Sequence, residues 1–177
     1  MARLPYVPAD LEAPLDIVAA VRARRGGTLL NLDRILLHSP PVAMGWNALL
    51  GAVRRDMTLP PKLRELAMCA VAALNGADYE WGHHAPLFRE AGGTEAQLEA
   101  LRDPLAALRD PSVFEGADRA ALALTVEMTR DVKVSDQTFA AARAALPDDR
   151  QAFELVMTIA AYNMVSRVLI AVGIEPE

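Results

Sequence analysis

At 177 residues the chain has the length of one domain, and a domain near that size buries roughly 70% of the surface its unfolded form exposes. Its apolar share of 53% is carried by Ala, Leu, Val and Met, with only 5% aromatic residues, a balance that favours helix over strand and predicts an all-α fold. A net charge of −5 without a dense Lys/Arg block excludes a nucleic-acid platform, scattered basic residues give no membrane-surface helix, and a single cysteine excludes a disulfide or dithiol cycle.

In chain order, residues 1–13 read as extended and proline-punctuated, without the apolar stretch of a secretory signal, so a cytoplasmic protein is expected. Pro14 opens a helix to Arg25 that Gly26-Gly27 stops. A short helix follows from Leu29 to Leu37, Ser39-Pro40-Pro41 breaks it, and Pro41 to about Arg54 forms a third. Pro61 to Leu74 is the next helix, ended by Asn75-Gly76, and Tyr79 to Ala91 follows, closed by Gly92-Gly93. Thr94 and Gln97 form a capping box for a helix to Leu101, and Pro104 starts a further turn or two. Glu115 to Asp131 is helical, Ser135 caps a helix to Ala145, and Asp148 with Gln151 caps a last helix to about Val172. The uncharged runs Leu66 to Ala77 and Leu155 to Ser166 fall short of the ~20 residues a spanning helix needs and read as buried core.

The chemistry concentrates between Arg64 and His84. Glu65 opens an otherwise apolar helix, where a carboxylate is costly unless it is paired. It complements the helix N-terminus, pairs with a nearby arginine, or serves in proton transfer. Glu80 and His84 stand one turn apart on one helix face, as do Tyr79 and His83 about 100° around the axis, and the sequence leaves open which pair faces the core. Adjacent histidines point apart and the H-E-x-x-H spacing is absent, so no metal site is expected. Cys69 lies in an apolar run and reads as a small buried hydrophobe. Near the C-terminus Arg167 either anchors a substrate carboxylate, neutralises Glu154 or Glu65, or contacts another subunit.

Leu59-Pro60-Pro61-Lys62-Leu63-Arg64-Glu65-Leu66 and Asn75-Gly76-Ala77-Asp78-Tyr79-Glu80-Trp81-Gly82-His83-His84 resemble the carboxymuconolactone decarboxylase family, which includes the AhpD-like alkylhydroperoxidases, and the resemblance extends from about Leu30 to Gly173. The peroxidase branch carries a Glu, a C-x-x-C and a His four residues later. Glu65 and His84 match its Glu and His, while Ala77 and Glu80 occupy its two cysteine positions. The resemblance therefore implies a cysteine-free branch, in a single AhpD-like helical domain with residues 1–28 as an N-terminal extension. It implies Glu65, Glu80 and His84 as catalytic residues, Tyr79, Trp81, His83 and Arg167 as substrate-binding ones, a small carboxylated lactone or oxo-acid as substrate, and no cofactor. The alternatives are an antioxidant lacking the C-x-x-C or a small-ligand-binding oligomer. It also implies a homotrimer or homohexamer, with Trp46, Trp81 and Met44 as candidate contact residues.

Overall fold

The computed structural model describes residues 2–177, and among them every regular element is helical. The helices are α1 (Leu15–Arg25), α2 (Asn31–Leu36), α3 (Pro40–Gly51), α4 (Pro61–Asn75), α5 (Asp78–Glu90), α6 (Glu95–Ala100), α7 (Pro104–Arg109), α8 (Gly116–Arg130), α9 (Asp136–Ala144) and α10 (Asp149–Val172). The chain packs as two compact units, one holding residues up to Asp56 with Leu169–Glu177, the other Met57–Val168.

In the first unit α3 packs against α1 and α2. The third helix does not stay α-helical to Arg54. After Gly51 it widens into a π-helical turn over Ala52–Asp56. In the second unit α4 packs on α5 and α8, and Leu63 with every residue from Glu65 to Ala72 is buried. A helix that is apolar on all sides requires cover on all sides. Gly76 ends α4 in the left-handed region at φ 68°, open to glycine without a Cβ penalty, and Ala77 N–H donates back to Ala72 O at 2.8 Å. That reversal brings α5 back along α4.

Most caps act as their residues dictate. Thr94 and Gln97 form the reciprocal box, Ser135 accepts from Thr138 N–H, and Asp148 accepts from Gln151 N–H at 2.8 Å. The Asp148 box is only half made, because Gln151 Oε1 is buried without a hydrogen-bond partner. By length and composition α10 is apolar enough to cross a membrane, since its 24 residues bridge the charges that broke the shorter runs. Half of its most apolar 18-residue window is buried inside the protein, however, and Glu154, Asn163 and Ser166 on the helix bond to Thr58, Thr129 and Glu80. Those contacts are those of a core helix.

Trp46 and Trp81 do not stand ready for a subunit contact: both are buried within the chain, and only Met44 is exposed. Both aromatic rings satisfy their apolar surface internally.

Gly93 is sterically obligatory. A Cβ there would lie 2.2 Å from the ring of Phe88, which is fully buried and unable to swing away. Gly93→Ala should therefore lower stability by about 1–3 kcal/mol, the usual cost of overpacking. Urea unfolding checks this, and an unchanged midpoint would contradict it.

Candidate functional site

The centre of the site is a bond between two helices. Glu65 lies one turn into α4 and His84 midway along α5, and both are almost fully buried. His84 Nδ1–H donates to Glu65 Oε2 at 2.6 Å, while Arg64 Nε–H donates to Glu65 Oε1 at 3.2 Å. Burial pushes the Glu65 carboxyl upward, but the His84 bond, the His84 charge and Arg64 outweigh it and hold the group below the usual carboxylate range. An ionised Glu65 accepts only, so the His84 proton sits on Nδ1 and proton exchange with a reactant falls to Nε2. The Tyr162 ring meets His84 edge-on at 4.8 Å, bracing the imidazole from α10.

Glu80, one turn before His84 on α5, is buried on the same side. Ser166 Oγ lies 3.0 Å from each Glu80 carboxylate oxygen, so one hydroxyl proton is shared between them. Tyr162 interrupts the apolar run of the last helix in the sequence, but Ser166 was not singled out there. They stand at i and i+4 on α10, and that polar pair within an apolar run was the available signal. Cys69 lies one turn after Glu65 on α4 with no exposed surface, and burial, followed by the charges of Glu65 and Glu80, pushes its thiol far above the usual range. A reactive thiolate has no footing there.

The structure separates the remaining expected residues from this cluster. Of the two histidines His84 faces the core, and His83 is exposed, its Nδ1–H donating to Tyr79 O at 2.9 Å and its ring stacked on Tyr79 at 4.5 Å. Tyr79 itself is buried. The indole of Trp81 lies under the Arg102 guanidinium at 4.0 Å. Trp81 and Arg102 line a cavity of about 160 Å³ with Ala72, Ala73, Gly76 and Asp78, a lining without Glu65, Glu80 or His84. Arg167 is exposed, with Nη1 donating to the backbone and side-chain oxygens of Asn163 at 3.0 Å each. It neutralises neither glutamate proposed for it. Arg150 and Thr58 with the Leu59 amide serve Glu154, and Arg64 serves Glu65. Among the described residues no three His, Cys, Asp or Glu side chains are arranged to hold a metal ion.

The fold is AhpD-like. It superposes on the AhpD core of an uncharacterized peroxidase-related protein from Ralstonia eutropha JMP134 with a TM-score of 0.80 at 22% identity, covering 99% of this chain and 92% of that one. A peroxidase-related protein from Silicibacter sp. TM1040 gives 0.79 at 17% identity, again over 99% and 92%. The debrominase Bmp8 in complex with 2,3,4-tribromopyrrole gives 0.78 at 16% identity, over 100% and 94%. No curated protein matches the sequence. Residues 40–127 match the carboxymuconolactone decarboxylase family, and through that segment the chain belongs to it. The matched stretch contains Glu65, Glu80 and His84.

The depressed Glu65 pKa has a measurable consequence. Its stabilising contribution is present above the unfolded carboxyl value of about 4.5 and is lost as pH falls through the lower folded value. Wild type should exceed Glu65→Gln in urea midpoint at about pH 7, and the gap should shrink as pH falls towards about 3. A gap independent of pH would contradict an ionised Glu65.

Proposed function

We propose that this protein is a cofactor-free lyase or isomerase that acts on a small carboxylated lactone or oxo-acid, with His84 as proton donor. The observation that carries the reading is the buried His84–Glu65 bond of 2.6 Å, which holds an imidazole in one tautomer beside an ionised carboxylate. Glu80, one turn away and bonded to Ser166, supplies a second proton-handling group on the same helix. Family membership supports the same class of chemistry.

With 4-carboxymuconolactone as the specific candidate, the step runs as follows. The bond between ring carbon and carboxylate breaks and CO2 departs. Its electron pair passes through the conjugated double bond towards the lactone carbonyl, giving an enolate-like anion. His84 then gives its Nε2 proton to carbon, and the neutral ring recovers a proton from solvent or a neighbouring acid. Glu65 stabilises the imidazolium before transfer through Nδ1–H, and Glu80 orients His84 and relays its proton. The debrominase complex adds that one protein of this fold accommodates a small planar ring. A thiol peroxidase route lacks its nucleophile, because Ala77 and Glu80 stand at both cysteine positions and Cys69 is buried with its thiol protonated.

The assay is the loss of the lactone's ultraviolet absorbance on adding protein. Turnover is expected, with a fall of about 10²–10⁴-fold in His84→Ala and in Glu65→Gln, the usual contribution of a positioned acid. No turnover by wild type, or turnover unchanged in His84→Ala, would overturn this reading. Saturable binding of the lactone without product would favour a ligand-binding oligomer, and peroxide consumption lost in Cys69→Ala would favour an antioxidant.

A further inference from the structure

Two of the three contact residues expected from the sequence are buried, yet the protein leaves apolar surface open to water along α10. From Phe153 to Ser166 the only charged residue of that helix is Glu154, which is buried and committed to Thr58, Leu59 and Arg150. Phe153 is 64% exposed and Met164 36%, Ala160 between them is exposed as well, and Val156 and Met157 are half-buried. Spaced three and four residues apart, these positions form one outward stripe on the helix. Tyr162 and Ser166, which brace His84 and Glu80, are buried on the other side, and all of these residues belong to the second unit. Arg167 ends the stripe. It is exposed and held in place by two bonds from Nη1 to Asn163, and among the described residues no carboxylate pairs with it.

The stripe is balanced about its middle. Phe153 and Arg167 each lie seven residues from Ala160, close to two helical turns and about 10.5 Å along the axis on either side. Val156 and Met164 each lie four residues from it. A two-fold axis through Ala160 sets a second copy of the helix antiparallel to the first, and the pairing then follows from the spacing. Ala160 meets its own copy at the crossing, where a small side chain lets the two backbones approach to about 8–10 Å. Val156 falls opposite the partner's Met164, and the ring of Phe153 falls opposite the partner's Arg167, each exchange occurring twice. A guanidinium over an aromatic face is an attractive contact, and between the two ends the exposed positions carry no carboxylate or second cation to oppose it.

We propose that the outer stripe of α10 docks on the same stripe of a second copy of this chain, forming an antiparallel two-fold dimer with Phe153 against the partner's Arg167. An unrelated partner would need only an apolar face of matching shape. An aromatic ring and an arginine set at equal distances from one small residue is what a self-complementary surface requires, because in a two-fold contact each residue meets the counterpart of its own partner. A single helix pair buries less than a standard interface, so the affinity expected is micromolar. The proposal does not depend on the lyase reading.

Sedimentation velocity of the intact protein from low to high micromolar concentration tests the association, and cysteine cross-linking tests its geometry. A concentration-dependent dimer is expected. Phe153→Arg sets two arginines opposite each other and should weaken it by about tenfold or more. Adding Arg167→Glu should restore it, because a carboxylate then faces the introduced arginine, a recovery that a misfolded variant would not show. Cys69 is buried with its thiol held protonated, so an engineered cysteine is the reactive one. Ala160→Cys should oxidise to a symmetric disulfide dimer, and Phe153→Cys should not, since its two copies stand about 21 Å apart. A larger assembly that still forms the Ala160→Cys cross-link supports the contact, and one that excludes it overturns the proposal. So would a monomer at every concentration, an association unchanged in Phe153→Arg or not recovered in the double variant, or cross-linking of Phe153→Cys as fast as that of Ala160→Cys.

Discussion

Glu65 and His84 come from different helices, and each would be a liability in the interior alone. A buried carboxylate without partners is expensive, and a buried imidazole without partners has no fixed tautomer. Joined at 2.6 Å they satisfy each other, and the second Glu65 oxygen is taken by Arg64. The requirement to keep that pair dry and aligned explains much of the surrounding unit. α4 is apolar on every side because it must carry Glu65 into the core, and the Gly76 reversal returns α5 so that His84 meets it. Tyr162 and Ser166 on α10 then brace the two acid–base residues of α5 from the opposite side, one by ring contact and one by hydrogen bond.

Removal of sulfur from this fold changes what the same positions can do. With Ala77 and Glu80 at the two positions where the family resemblance implies a C-x-x-C, the reversal between α4 and α5 presents no redox pair. Glu80 replaces a nucleophile with a second carboxylate, and burial makes that carboxylate depend on Ser166. Cys69 cannot compensate, since it lies in the middle of α4 with the negative charges of two glutamates opposing its ionisation. What remains in the cluster is two buried carboxylates and a buried imidazole.

Much of this was legible in the sequence because the signals were local. Asn75-Gly76, Gly92-Gly93 and the Thr94/Gln97 box marked real helix ends, and Glu65 stood out as a charge in an apolar helix. The spacing of Glu80 and His84 placed them on one face without saying which face was inward, and packing against α4 decided for His84 over His83. Two features were out of reach for a local reading. Trp81 pairs with Arg102 on a separate stretch of chain, and the end of α3 relaxes into a π-helical turn at Arg54-Arg55. Each depends on contacts or backbone geometry between residues whose relation no periodicity records. Ser166 belongs to the same group, because its worth comes only from the carboxylate across from it.

The central claim is that an ionised Glu65 holds the proton of His84 on Nδ1, leaving Nε2 to exchange it with a reactant. Long-range ¹⁵N–¹H correlation spectra of the histidine rings test this most directly, with His84 assigned by its loss in His84→Ala. In wild type, once the ring is neutral, the His84 nitrogens should have the shifts of the Nδ1–H tautomer, and in Glu65→Gln that preference should weaken or vanish. A neutral His84 protonated on Nε2 in wild type, or a tautomer unaffected by Glu65→Gln, would contradict the account.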